Sequence, residues 1–148
     1  MYGLLPPGKE RQETLIDSYA GPDVQAGLKA HYDRFLELND VFKQLCTEWQ
    51  VRGDTPNDHT DAAYDAERIA RLEQLRAEAQ PTIEGFASVL PRMARYSPRL
   101  DESTKQVVAG NTKLFTGVMC GSFHDVWMEL HEDLIVLLRI NRVEEGSF

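Results

Sequence analysis

Histidines are the residues of this sequence best suited to chemistry, and two of them share one predicted helix. His124 and His131 lie seven residues apart, so about 10 Å separates them along a helix axis. Two helical residues that bind one metal ion normally lie three or four positions apart. The residue at that spacing from both histidines is Met128, which is a poor ligand for hard metals. A shared metal site is therefore the least favoured interpretation. Either both histidines are satisfied at a helix–helix interface, or His124, Trp127 and His131 contact a small ligand.

A third histidine lies in a polar loop directly before another predicted helix. Asn57, Asp58, His59 and Thr60 follow one another there. Because the amide groups at a helix N-terminus are free and that end is positive, the loop could hold an anion. The alternative is plain capping, in which Asp58 and Thr60 accept hydrogen bonds from free amides and His59 faces solvent.

Asn39 interrupts an otherwise apolar helical seam. A buried amide without partners costs about 1–3 kcal/mol, so this side chain needs a defined polar contact. It could mark the register or oligomeric state of a coiled coil, make a polar contact in a pocket, or be satisfied within the core.

Nucleophilic catalysis has little support in the sequence. Cys46 and Cys120 lie in apolar patterns without a Cys-x-x-Cys motif, which is typical of reduced, buried thiols. Cys120 and His124 would face each other only in a helix that continued through Gly121. No serine-hydrolase or nucleotide-binding glycine motif is present. We therefore predict no catalytic residue, metal or cofactor, and the candidate ligand-binding residues are Asn39, Asp58, His59, His124, Trp127 and His131.

The element that must position these residues is a long amphipathic helix over about residues 24–50. Its seam follows alternating spacings of four and three residues: Leu28, Tyr32, Phe35, Asn39, Phe42, Cys46 and Trp49. Further apolar side chains widen that face, at Leu36, Leu38, Val41 and Leu45. A wide face on a helix of ~27 residues predicts more than one neighbour, and a homodimer through this helix is expected.

The remaining chain also has helical patterns. After a loop at residues 51–60, a third helix begins at Thr60 or Asp61, with Arg68, Arg71 and Arg76 expected on its solvent side.

Further along, Pro81 is expected to start or kink a fourth helix. Ser97-Pro98 is expected to start another helix that runs to Ala109, with Gly110 as its C-terminal stop. A final helix is predicted over residues 122–142.

These patterns predict an all-α fold, a bundle of about five to six helices around the long central helix. Residues 1–22 form a separate N-terminal segment with a short helix, and the bundle occupies residues 23–148. Asp23 is the expected N-cap of the long helix.

The charge balance limits the partners. The 148 residues include 24 acidic and 16 basic side chains, so the net charge is −8. Direct binding to nucleic acid phosphates or to an anionic membrane is therefore not expected. No secretory signal pattern and no apolar run of membrane-spanning length is present, which favours a cytoplasmic location.

Three segments together resemble a family of actinobacterial proteins. They are EWQVR at residues 48–52, PNDHTD at 56–61 and HDVWMELHEDL at 124–134. In that family a similar helical region follows a winged-helix, MarR-like segment, and some members are associated with phosphoenolpyruvate-utilising dikinases. The segment LLPPGKER at residues 4–11 is similar to the end of such a winged helix, but the winged helix itself is missing here. The resemblance implies a regulatory role without direct DNA contact by this chain.

Three functions follow as hypotheses. The first is a non-catalytic module for ligand sensing, dimerisation or protein interaction. Its binding pocket or surface would lie near His59, His124, Trp127 and His131. The second is a small metal- or ligand-dependent enzyme that uses His59, His124 and His131 with a nearby glutamate. The third is a regulator that binds DNA through a partner.

Overall fold

The computed structural model describes residues 21–139. Helix α1 covers Pro22–Gln50, and a two-residue hairpin follows, β1 at Val51–Arg52 and β2 at Thr55–Pro56. The two strands pair antiparallel within the predicted loop. Most of the predicted N-terminal segment and residues 140–142 of the predicted last helix lie outside the described residues.

The rest of the described chain is helical. Helix α2 covers Ala62–Val89, a 3-10 helix covers Pro91–Arg95, and α3 covers Tyr96–Val108. A short helix, α4, at Lys113–Thr116 interrupts the irregular stretch before α5 at Phe123–Leu138. The predicted all-α bundle with one long helix is confirmed.

The seam of α1 is packed inside this one chain. Helix α1 contacts both α2 and α5, and α3 contacts α2 and α5 in turn. Aromatic rings fill the α1–α5 interface: the Phe35 and Phe123 rings stack on Trp127 at centroid distances of 5.0 and 5.7 Å. The wide apolar face that suggested a partner chain is thus largely covered by two helices of the same chain.

Helix α2 corrects the prediction for Pro81. The helix runs through Pro81 without a break, although an interior proline costs about 3 kcal/mol. Pro81 is exposed, while Ala79, Ile83 and Phe86 on the opposite side are buried. Burial of that face over a 28-residue helix outweighs the local cost of the proline.

Helix α2 also corrects the prediction for its arginines. Arg68 and Arg76 are only 9% and 6% exposed instead of facing solvent. Arg68 pairs with Glu48 of α1 at 2.8 Å, and Arg76 pairs with Asp101 of α3 at 2.7 Å. Because α2 packs between α1 and α3, these two positions face neighbouring helices and not solvent.

The helix ends differ slightly from the predicted ones. Gly21 is the N-cap of α1 and Pro22 is its first residue, so Asp23 lies in the first turn and is not the cap. Asp61 caps α2, since its side chain accepts a hydrogen bond from the Tyr64 amide at 3.1 Å. Helix α5 ends at Leu138, and Arg139 is left-handed, with φ of 56°.

No helix within residues 21–139 is both long enough and apolar enough to cross a membrane.

Candidate functional site

Asn39 and Trp127 are partners in the core. The indole nitrogen of Trp127 donates to Oδ1 of Asn39 at 3.0 Å, and the two residues are 0% and 3% exposed respectively. Since an indole has a single donor, Trp127 has no polar group left for a ligand. This pair fits the interpretation of Asn39 as a satisfied core amide.

His131 also lies in the α1–α5 interface. It is buried, its Nε2 is 3.4 Å from the Tyr32 hydroxyl, and its ring centroid is 5.2 Å from that of Phe35. These contacts tie the middle of α5 to the first half of α1.

The His59 loop forms a compact set of internal hydrogen bonds. Nδ1 of His59 is 2.8 Å from an Asp65 oxygen, and its ring lies 4.6 Å from the ring of Trp49. The side chain of Asn57 donates to the Trp49 carbonyl at 2.8 Å. His59 therefore does not simply face solvent.

Asp58 caps its own turn and does not reach the helix. Its Oδ1 accepts from the Thr60 hydroxyl at 2.7 Å and from the Thr60 amide at 3.1 Å. These two hydrogen bonds lower the pKa of the Asp58 carboxyl. Because Asp61 already occupies the N-terminus of α2, this end of the helix presents carboxylates, which disfavours an added anion.

The structure does not bring the three predicted histidines together. His131 lies near Phe35 and His59 near Trp49, and these two partners are separated by 14 residues of α1, or roughly 21 Å. Within residues 21–139, no group of three histidine, cysteine or acidic side chains could hold a metal ion.

His124 alone of the six candidates lines a cavity between α1 and α5, which we call the His124 cavity. It has a volume of about 270 Å³. The lining consists of one set of side chains from each helix: Phe42, Lys43, Cys46 and Thr47 from α1, and His124 and Met128 from α5. Within each helix the lining residues form pairs four positions apart, so they lie on one face of that helix. The two faces form opposite walls of the cavity. Trp127 and His131 do not line it.

One side chain of this cavity wall, His124, has a buried polar atom without a partner. Nδ1 of His124 is inaccessible to solvent and makes no hydrogen bond to any part of the chain that the structure describes. Burial of such an atom without a hydrogen bond costs about 1–3 kcal/mol. Native structures usually resolve this cost with a water molecule, an ion or a ligand.

The thiol in the same wall is not reactive. Burial raises the pKa of Cys46 to about 12, so the sulfur stays protonated near neutral pH. A protonated thiol is a weak nucleophile, and Cys46 contributes a small, apolar surface to the cavity.

A larger groove lies between α2 and α3, with a volume of about 430 Å³. Its wall contains acidic and basic groups together, and the Arg76 guanidinium is already held by Asp101, Gln80 and Ser97. Nε of Arg76 is buried and makes no hydrogen bond within the described residues, but it lies 2.7 Å from an Asp101 oxygen in an ion pair. The charges of this groove therefore already compensate one another.

Sequence reasoning missed a cluster around Asp133. Its two oxygens accept from Arg92 at 2.7 and 2.8 Å, and one of them also accepts from the Tyr96 hydroxyl at 2.7 Å. Burial raises the pKa of Asp133, but the hydrogen bonds and positive charges of Arg92 and Arg95 outweigh it, and the pKa falls below its usual value. Burial and Asp133 together raise the pKa of Tyr96 to about 12. The cluster fastens the 3-10 helix to α5.

The chain matches no protein-family model, no curated protein and no solved structure. The resemblance to winged-helix-associated proteins therefore stays a prediction.

Proposed function

We propose that this chain is a non-catalytic ligand-binding module, and that its ligand occupies the His124 cavity. The observation that carries the proposal is the cavity of about 270 Å³ between α1 and α5, whose wall includes His124, a side chain with a buried Nδ1 that has no hydrogen-bond partner within residues 21–139. Because Nδ1 is closed off from solvent, a ligand reaches it only when the imidazole turns toward the cavity, and the hydrogen bond then formed removes the cost of leaving the atom unsatisfied.

The position of the cavity suits a sensing role. It lies between α1 and α5, the two helices that share the central aromatic cluster. A ligand there contacts both helices at once, so binding stabilises their packing by mass action. In the regulatory role that the sequence resemblance implies, this added stability is the signal passed to a partner.

The positions of the histidines favour a binding module over a metal-dependent enzyme. An enzyme that uses His59, His124 and His131 together requires His59 beside α5, whereas its ring lies against Trp49 and its Nδ1 against Asp65. DNA binding through a partner remains the third proposal.

The homodimer stays a separate proposal. The α1 seam packs against α2 and α5 of the same chain, so a dimer has to use another surface. Sedimentation equilibrium over a wide concentration range tests it, and a constant monomer mass throughout would remove it.

Ligand binding is tested by two-dimensional ¹H–¹⁵N NMR titration with phenol, indole and phenylacetamide at millimolar concentration. We expect at least one probe to shift the amides of α1 and α5 around Cys46 and His124. Thr47→Trp, at an exposed rim position, should block these shifts, while Gln44→Trp, exposed on the same helix but outside the lining, should not. Shifts that are confined to other surfaces, or that persist in folded Thr47→Trp, would overturn the proposal.

A further inference from the structure

The His124 cavity has two chemically different sides. Phe42, Met128 and the protonated thiol of Cys46 supply the apolar surface. Lys43, Thr47 and His124 supply the polar groups. A ligand that satisfies both sides has an apolar body and one polar end.

The polar side carries only one sign of charge. No acidic residue among residues 21–139 lines the cavity, although the chain has 24 acidic residues and a net charge of −8. Lys43 makes no ion pair with any carboxylate of residues 21–139. In the α2–α3 groove, by contrast, Arg76 and Lys105 stand beside Glu73 and Asp101. A cationic ligand in the His124 cavity finds no counter-charge, whereas an anionic one gains Lys43.

The imidazole of His124 in the cavity wall agrees with that polarity. An imidazole nitrogen that carries a proton donates, and a carboxylate oxygen is an acceptor of high strength for such a donor. A carboxylate has two oxygens, so one can accept from His124 while the other faces Lys43. A neutral polar group can accept the hydrogen bond from His124 but gains no attraction between opposite charges from Lys43.

Size restricts the ligand further. A volume of about 270 Å³ lies just below the ~300–1,000 Å³ range of cavities that take drug-sized molecules. The cavity therefore suits a molecule with one small ring or a short chain.

We propose that the ligand of the His124 cavity is a small organic monocarboxylate with an apolar body, its carboxylate held by His124 and Lys43. This inference rests on the proposed function, because it assigns a ligand class to the same cavity.

The test compares phenylacetate with phenylacetamide, which share shape and differ in charge. NMR titration should show the acid to bind about tenfold more tightly than the amide, with shifts around His124 in both cases. Lys43→Gln should weaken phenylacetate binding about three- to fivefold and leave phenylacetamide binding unchanged. Lys105→Gln removes the same charge from the α2–α3 groove and should leave both unchanged. Lys43 and Lys105 are both exposed, so the variants should fold.

The outcomes separate the two proposals. If the amide binds in the cavity as tightly as the acid, or if Lys43→Gln leaves the acid unaffected, the ligand class is wrong and the binding function stands. If phenylacetate weakens equally in Lys43→Gln and Lys105→Gln, only net charge matters and the class is again wrong. If neither compound, nor phenol or indole, shifts the cavity amides, the proposed function itself fails.

Discussion

At the scale of single residues, the Asn39–Trp127 hydrogen bond shows how the core tolerates a polar group. Asn39→Ala removes the acceptor and leaves the indole N–H of fully buried Trp127 unpaired, so we expect a loss of about 1–3 kcal/mol in the free energy of unfolding. Urea denaturation followed by tryptophan fluorescence measures it.

A double-mutant cycle separates the hydrogen bond from the lost packing. In a Trp127→Phe background no indole N–H remains, so Asn39→Ala should cost about 1 kcal/mol less there than in the wild type. Asp40→Ala, at the exposed neighbouring position, serves as the control and should change stability little. Equal costs of Asn39→Ala in both backgrounds would show that the bond adds nothing.

The buried arginines show why residue-level prediction from this sequence is incomplete. Arg68 and Arg76 belong to a mixed-charge helix pattern that normally faces solvent. Their main partners, Glu48 and Asp101, lie 20 and 25 residues away in sequence, and only the packing of α2 on α1 and α3 brings them near. The His124 cavity was unpredictable for the same reason, because the sequence shows neither which α1 residues face His124 nor that its Nδ1 lacks a partner.

At the scale of elements, a glycine sets how closely α1 and α2 approach. A Cβ added at Gly85 would lie 2.7 Å from the imidazole ring of His31. Alanine favours a helix over glycine by about 1 kcal/mol, but the clash opposes this gain, and overpacking costs about 1–3 kcal/mol. We expect Gly85→Ala to lower the free energy of unfolding by about 1 kcal/mol, as measured by urea denaturation.

Removal of the imidazole should reverse the sign of that effect. In a His31→Ala background the space is free, so Gly85→Ala should stabilise the protein by about 1 kcal/mol. If Gly85→Ala stabilised the wild type as much as it stabilises the His31→Ala variant, the close approach of the two helices would be refuted.

The start of α5 depends on a single carboxylate. Asp125 accepts hydrogen bonds from four successive backbone amides, those of residues 119–122, while its own amide donates to the Ser122 hydroxyl. Asp125→Ala should therefore cost about 1–2 kcal/mol in the free energy of unfolding and speed hydrogen exchange at the amides of Cys120 and Gly121. Hydrogen-exchange mass spectrometry or NMR follows those amides.

Asp23→Ala is the matched control for Asp125→Ala. Asp23 also lies in the first turn of a helix, but its side chain caps no backbone amide within residues 21–139, so the variant loses the favourable position of a carboxylate near the helix dipole. Exchange in residues 119–122 should not change in this variant. Unchanged exchange in Asp125→Ala as well would mean that the carboxylate does not hold the loop.

Elements with one regular pattern are predictable, whereas their junctions are not. The alternating seam of α1 predicts its helix and its buried face, and the structure confirms both. The prediction of a helix start or kink at Pro81 was wrong. Proline locally opposes a helix, but the burial of Ile83 and Phe86 beyond it keeps α2 continuous. That burial depends on the helices packed against α2, and a short stretch of sequence around Pro81 does not show which helices these are.

At the scale of the whole molecule, the Asp133 cluster makes stability depend on pH. The carboxyl of Asp133 has a folded-state pKa below its ordinary value of 3.8, so the proton binds more tightly to the unfolded chain. The resulting stability is fully present above the unfolded pKa and is lost as pH falls through the folded one. Asp125 shifts in the same direction, because the hydrogen bonds from residues 119–122 outweigh its burial.

Asp133→Asn isolates the contribution of this cluster to acid stability. At neutral pH the variant should lose about 1–3 kcal/mol in the free energy of unfolding, since Arg92 and Tyr96 keep a weaker, uncharged acceptor. Because the amide does not titrate, the difference from the wild type should shrink as pH falls from ~5 to ~2. Urea denaturation at several pH values measures both curves. Curves for Asp133→Asn and wild type that stay parallel down to pH ~2 would show that Asp133 is not linked to acid unfolding.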